Sequence, residues 1–215
     1  MNDSVDLDGL RAVHTSPVLG EKKGRDAMAT SRQLSRGLVV LAALLSLMGA
    51  PGPALADEEI KATLKGFNEV PAVSTTGHGQ FHATISTDQQ SIAYELTYDG
   101  IEGSILQSHI HVAQRNVNGG IVLFLCATSL TSPAAAPAGT PACPANGGTV
   151  IGTLTASNIT PVLTQGIETG PAEFAEILHA IRSGVTYANV HSSPNHVGGE
   201  IRGQIKVIRG DEDDE

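Results

Sequence analysis

Short runs of alternating apolar and polar residues, separated by Gly, Pro, Asn and Asp, make up most of the chain from residue 59 onward. The first run sets Ile60, Ala62 and Leu64 against polar neighbours. Because successive side chains of a β-strand point to opposite faces, such a run predicts a strand with one buried face. Further runs predict strands over residues 79–87, 92–98, 105–113, 121–125, 149–155, 185–192 and 200–208.

One segment, residues 171–183, departs from the two-residue period and predicts an amphipathic helix. Pro171 suits its first turn and Gly184 its end. Its apolar residues recur at i, i+3, i+4 and i+7, and they are Phe174, Ile177, Leu178 and Ile181. A half-polar sheet must bury its apolar face on another layer. The sequence therefore predicts an all-β fold: an antiparallel β-sandwich or Greek-key barrel of about eight strands with one short helix.

Residues 28–56 have the pattern of a secretory signal peptide. A basic start leads into the apolar run 38–48, and Ala54-Leu55-Ala56 offers a cleavage site before Asp57. The apolar run is shorter than the roughly 20 residues that a helix needs to cross a bilayer. We therefore expect a mature protein exported to the periplasm or the extracellular space, without a stable membrane span. An uncleaved membrane anchor is the alternative.

The two ends of the chain differ from the predicted domain at residues 57–209. Residues 1–27 are not basic, so they are either a disordered extension or precede the true start at Met28. Residues 210–215 form an acidic tail, read as a solvated end or as a weak cation-binding segment. From residue 57 onward, seventeen acids and seven bases give a formal charge of −10. This negative charge argues against nucleic acid as a partner, because nucleic-acid binding depends on Lys and Arg that neutralise phosphates.

The two cysteines, Cys126 and Cys143, suggest a disulfide in an exported protein. The bond would close a loop rich in Pro and Ala and would stabilise the fold by about 3 kcal/mol. A Cys–His metal site is the alternative, although the two cysteines lack the Cys-x-x-Cys spacing of a zinc knuckle.

Two stretches place imidazoles on one face of a strand. His109 and His111 are two residues apart, and Asn189 and His191 repeat the pattern in a second predicted strand. Neighbouring strands lie about 4.8 Å apart, so pairing of the two stretches would bring three histidines together. Imidazole suits copper, zinc and nickel. Possible extra ligands beside flexible turns or on short strands are His78, His82 and His196.

Four ordered blocks resemble the signature of the CHRD domain, the repeat first described in chordin. They are Glu69-Val70-Pro71, His109-Ile110-His111, Tyr187–His191 and Gly199–Ile205, and the resemblance covers residues 60–207. It implies a secreted all-β module rather than an enzyme, and its pattern includes His109, His111, His191 and Arg202. Chordin binds growth factors through cysteine-rich repeats that this chain lacks, so that role is not transferred. The expected partner is an unknown protein or a metal ion.

Three hypotheses follow for the polar residues. In a structural or interaction module, the histidines and Asn189 hydrogen-bond across strands, His191 caps a turn, and Arg202 pairs with Glu69 or Glu200. In a metal-binding module, His109, His111 and His191 are ligands to copper or zinc. Tuned ligands need their second ring nitrogens oriented, and candidates for that role are Asn189, Gln107 and Glu200.

The third hypothesis is a copper- or zinc-dependent redox protein whose site resembles that of copper-zinc superoxide dismutase. The likeness rests on a His-x-His strand in a Greek-key barrel, and fold analogy alone does not establish function. The sequence has no counterpart to that enzyme's dense metal-binding loop. A hydrolase is disfavoured because no Gly-x-Ser-x-Gly motif is present.

Overall fold

The structure is a computed structural model that describes residues 56–128 and 134–208. The predicted extension (1–27), the signal peptide apart from its last residue, and the acidic tail lie outside the described residues. The described residues form nine strands and one α-helix. They are β1 (Glu58–Lys65), β2 (His78–Ile85), β3 (Ile92–Asp99), β4 (Ser104–Val112), β5 (Gly120–Ala127), β6 (Gly148–Leu154), α1 (Pro171–Arg182), β7 (Thr186–Ser193), β8 (His196–Gln204) and β9 (Lys206–Val207).

The strands form one antiparallel sheet that curls into a nearly closed barrel. The strand order is β5-β4-β7-β8-β1-β2-β3-β6, and β9 pairs with β1. The two edge strands, β5 and β6, approach each other. Beside them, the Tyr94 hydroxyl of β3 donates a hydrogen bond to the Leu125 carbonyl of β5 at 2.5 Å. The disulfide between Cys126 and Cys143 (S–S 2.06 Å) ties β5 to the segment before β6. The all-β prediction and the cysteine pairing are confirmed.

The core lies on the inward faces of the strands, where the alternation placed it. Ile60 and Leu64 of β1 and Phe81 of β2 are fully buried. The predicted stripe of α1 joins the same core, with Ile177 and Leu178 at 1 % and 0 % exposure. The predicted helix and its apolar face are therefore confirmed. None of the described helices is long and apolar enough to span a membrane.

The last strand differs from its predicted bounds. Residues 196–199 were expected in a turn, whereas β8 already begins at His196 and pairs there with Ser192. Only Pro194 and Asn195 remain between β7 and β8. The predicted strand also breaks at Ile205, which is fully buried and donates its backbone N–H to Thr186. The early start of β8 matters because it places the carbonyl of residue 197 beside a histidine ring.

Candidate metal centre

The two histidine stretches lie side by side in the sheet. β4 pairs with β7 in an antiparallel register that sets His109 opposite Asn189 and His111 opposite Tyr187. Ile110 of β4 belongs to the hydrophobic core, so the imidazoles lie on the other face of the strand. One ligand atom from each of three rings, those of His109, His111 and His191, lies within 4.8 Å of the others. The predicted convergence of the three histidines is confirmed.

This outward face is nevertheless buried, because the loops and neighbouring strands cover it. The exposed fractions of His109, His111 and His191 are 0 %, 6 % and 7 %. The Phe124 ring of β5 stands edge-on to His109, with ring centroids 4.5 Å apart. The barrel therefore has a polar cluster on its outer face in addition to its hydrophobic interior.

Each imidazole directs one ring nitrogen at an oxygen that accepts a hydrogen bond. Nε2 of His109 lies 3.2 Å from the Gln107 side-chain oxygen. Nδ1 of His111 lies 2.9 Å from the Gly119 carbonyl, and Nδ1 of His191 lies 2.7 Å from the Val197 carbonyl. Because such oxygens only accept, these nitrogens must carry the hydrogens. The remaining nitrogens, Nδ1 of His109 and Nε2 of His111 and His191, keep their lone pairs.

The orientation of the Gln107 amide supports this tautomer assignment. Its nitrogen donates to the Ala134 carbonyl at 2.7 Å, and its oxygen accepts from the Ala134 backbone N–H at 3.1 Å. The oxygen end therefore faces His109. Of the predicted orienting residues, Gln107 contacts Nε2 of His109 and Asn189 contacts Nε2 of His111, each through its side-chain oxygen. Oxygen acceptors of this kind orient metal-bound histidines.

Two of the lone pairs have no partner in the described part of the chain. Nδ1 of His109 and Nε2 of His191 are buried polar atoms without a hydrogen bond. Buried polar atoms are nearly always satisfied, so two unpaired nitrogens within one cluster need an explanation. A cation placed among the rings would supply their missing partner.

The rings are neutral at physiological pH, which is the state that binds metals. Burial lowers the pKa of His111 to about 4, opposed by its hydrogen bond to Gly119. Burial also lowers the pKa of His109, and the neighbouring His191 and His111 add to that effect. Burial likewise lowers the pKa of His191, against a smaller opposing effect of the Val197 hydrogen bond.

Arg202 closes the cluster on one side through a stack of rings. Its guanidinium lies 3.3 Å from the centre of the Tyr187 ring. That ring is parallel to His111, with centroids 4.5 Å apart and planes inclined by 3°. The guanidinium donates hydrogen bonds to the Val117 carbonyl at 2.7 Å and to the Asn118 side-chain oxygen at 3.1 Å. Arg202 thus joins β8 to the β4–β5 loop.

The predicted ion pair of Arg202 with Glu200 is wrong. The Glu200 carboxylate instead accepts hydrogen bonds from the Ser192 hydroxyl, the Thr75 hydroxyl and the backbone N–H of Glu102. Burial raises its pKa, but these hydrogen bonds outweigh that effect and the net pKa is lowered. Glu200 therefore anchors loops and does not orient a ligand histidine.

Glu69 lies near Arg202 but forms no hydrogen-bonded ion pair with it. Burial raises the pKa of Glu69 to about 7, and the Arg202 charge opposes that rise. Oε1 of Glu69 has no hydrogen-bond partner. Gly199, at φ +126°, packs so closely on this carboxylate that a side chain there would collide with it. The carboxyl group is thus enclosed next to the cluster.

The predicted extra ligands lie outside the cluster of three. His78 is exposed, with Nδ1 3.1 Å from the Thr76 carbonyl. His82 is exposed on β2, and His196 begins β8. Among the described residues, the grouping of possible ligands is His109, His111 and His191. The disulfide leaves no free thiol, so the Cys–His alternative is wrong.

Several groups around the rings were not predicted. The Gly119 and Val197 carbonyls have no side-chain signature, so only their position in the fold reveals them. The Phe124 ring likewise has no sequence signature as a neighbour of a histidine. Tyr187 is different, because it is two residues from Asn189 and shares its strand face. Extending the two-residue period by one step would have included Tyr187.

The CHRD domain family matches residues 60–205 of the chain. Comparisons with curated proteins and with solved structures gave no match.

Proposed function

Because this chain belongs to the CHRD domain family, we propose that it is an exported, non-catalytic binding module that holds one copper or zinc ion. The ligands are His109, His111 and His191. The observation that carries the proposal is that three buried imidazoles converge while each turns a proton-bearing nitrogen away to an oxygen acceptor. Such outer hydrogen bonds orient histidines for a metal.

The two unpaired nitrogens of the cluster make the metal-free fold less stable. A buried acceptor without a partner costs about 1–3 kcal/mol, and both His109 Nδ1 and His191 Nε2 are in this state. A cation shared among the rings would remove that cost. Zinc binds imidazole nitrogen at about 2.0–2.1 Å, which sets ligand nitrogens roughly 3.4 Å apart. The ligand atoms of the three rings lie within 4.8 Å of one another, so binding an ion requires side-chain rotations that shorten this spacing.

The burial of the rings favours a binding module over a redox catalyst. Catalytic metal sites keep an open position for a water or a substrate. The three rings are at most 7 % exposed, which leaves the coordinating nitrogens shielded from solvent. The alternative of a redox protein resembling copper-zinc superoxide dismutase gains no support from this enclosure.

Export is supported by three independent features. The pattern of residues 28–56 is that of a signal peptide. CHRD domains occur in extracellular and secreted proteins, and the disulfide fits an oxidising compartment. Amino-terminal sequencing of the secreted protein tests this part of the proposal, and we expect the mature chain to begin at Asp57.

Metal binding is tested with the full chain, purified without an affinity tag and stripped with a chelator. Zinc(II) and copper(II) are titrated separately, and bound metal is counted by mass spectrometry after gel filtration. We expect one ion per chain, and its loss in His109→Ala, His111→Ala and His191→Ala. Circular dichroism reports whether each variant folds.

The matched control is His82→Ala, which removes an exposed imidazole from a strand outside the cluster. It is expected to keep the bound ion. Binding that survives in the three cluster variants, or that disappears with His82, would contradict the proposed ligand set.

A further inference from the structure

Asn189 places its side-chain oxygen against the ring of His111. Oδ1 lies 3.2 Å from Nε2 of His111, and the asparagine is 2 % exposed. A neutral ring carries one hydrogen, and the shorter of its two contacts, 2.9 Å from Nδ1 to the Gly119 carbonyl, assigns that hydrogen to Nδ1, so Nε2 has only a lone pair to offer. Two acceptors thus face each other at hydrogen-bonding distance. A positive species between or beside them is required to make this contact favourable.

The orientation of the amide is determined by its other neighbour. The Asn189 side chain also faces the Glu69 carboxyl group, whose pKa it lowers as a hydrogen-bond donor would. If the amide were reversed, its oxygen would face the Glu69 carboxylate. Two acceptors would then face each other there instead of at His111. The oxygen end therefore faces His111.

A second proton on His111 is an unfavourable solution. Its ring is stacked on Tyr187, and the Arg202 guanidinium lies on the opposite face of Tyr187. The second proton would add a positive charge near Arg202 and yet satisfy Nε2 of His111 alone, so the buried nitrogens of His109 and His191 would stay without partners. A metal ion among the rings satisfies the same lone pairs and is shared by four ligand atoms.

Resting on the metal centre proposed above, we infer that Oδ1 of Asn189 is the fourth ligand, which completes a closed set of three nitrogens and one oxygen. Two ligands at about 2.0–2.1 Å from a tetrahedral ion stand roughly 3.3 Å apart, close to the contact that Asn189 makes with His111. Glu69 is a positioning residue that holds the amide.

This ligand set disfavours copper(I). A carbonyl oxygen is a hard donor, and it suits zinc(II) better than copper(I), which prefers soft thiolate and thioether ligands. Four protein ligands in tetrahedral arrangement are typical of closed structural zinc sites. The ion would then tie β4 to β7 on the outer face of the barrel, in the same way that a disulfide ties two segments.

The test uses cobalt(II) in place of zinc, because its visible absorption reports coordination, with azide as a small external ligand. In the wild-type chain all four positions are filled, so azide leaves the spectrum unchanged. Asn189→Ala opens one position and a small cavity, and we expect azide to change its spectrum. Asn189→Asp restores an oxygen ligand, and its spectrum is expected to be insensitive to azide.

A second variant covers the case in which Asn189→Ala fails to fold. Asn189→Leu keeps the side-chain volume without the oxygen, and we expect a shifted cobalt spectrum and zinc affinity about 10–100-fold weaker. The exposed turn residue Asn195 provides the control, since Asn195→Ala should match the wild type in both readouts.

The outcomes separate this inference from the proposed function. If the wild-type chain binds cobalt at the three histidines but its spectrum responds to azide as that of Asn189→Ala does, the fourth ligand alone is overturned. An Asn189→Leu chain with the wild-type spectrum does the same. A wild-type chain that binds neither zinc nor cobalt overturns the metal centre itself, and with it this inference.

Discussion

Lowering the pH from 7 to 5 is expected to weaken the metal-free fold sharply because of the three buried histidines. Burial holds the pKa of each ring below its ordinary value of 6.5, so the rings stay neutral in the folded state. In the unfolded chain the same rings take up protons below pH 6.5. The unfolded state therefore binds more protons in this range, and stability falls as the pH falls.

The magnitude follows from the two pKa values of each group. Between pH 7 and pH 5, one histidine that stays neutral in the fold contributes a loss of about 1.9 kcal/mol, so His109 and His111 together contribute about 3.8 kcal/mol, and the lowered pKa of His191 adds to that loss. Glu69 acts in the opposite direction. Its pKa is raised from 4.5 to about 7, so the folded state binds the extra proton within this window. The protonation of Glu69 stabilises the fold by about 2.1 kcal/mol at the lower pH, which leaves a net loss of at least about 1.7 kcal/mol.

Urea unfolding of the disulfide-intact chain at both pH values, with a chelator present, measures this difference. His191→Gln removes one titrating ring while its amide keeps a donor for the Val197 carbonyl, and the loss of stability should be smaller than in the wild type. The exposed His82→Gln is the control and should behave as the wild type. A loss of less than about 1 kcal/mol in the wild type would refute the reasoning, because it would mean that the rings are hydrated or charged in the fold.

Two further changes test Arg202 and the disulfide. Arg202→Lys keeps the charge but loses the planar stack on Tyr187 and the forked hydrogen bonds, and it should lower the free energy of unfolding by about 2–4 kcal/mol in urea titrations. Arg182→Lys, in a partly exposed ion pair, should change it by less than about 1 kcal/mol; equal effects would count against the stack. Replacing Cys126 and Cys143 together by alanine should cost about 3 kcal/mol, seen as a lower thermal midpoint under non-reducing conditions. A midpoint equal to that of the wild type would show that the loop needs no covalent closure.

Local pattern was sufficient for most of the fold and for the histidines of the cluster. The two-residue period located β1 to β3 because each needs only one apolar face, and the 3.6-residue period located α1 for the same reason. The boundary of β8 was missed, since Gly198 and Gly199 indicate a turn although the strand passes through them. Turn propensity was overridden there by the pairing of β8 with β7.

The partner of Arg202 was the main error within the site. A glutamate two residues away in sequence is the natural partner by charge, and Glu200 shares that spacing. The fold instead gives Glu200 three donors of its own and presents backbone carbonyls of the β4–β5 loop to Arg202. Charge alone could not distinguish these arrangements, because carbonyl acceptors occur at every residue.

The order of residues along the chain by itself determined which side chains share a strand face, since that depends only on the geometry of neighbouring residues. It therefore specified that His109 and His111 face one way and that Asn189 and His191 do so on another strand. The tertiary structure alone decided that these strands are adjacent, because β4 and β7 are brought together by the closing of the whole sheet. It also decided which oxygen each ring contacts, and hence which nitrogens keep the lone pairs that a metal would bind.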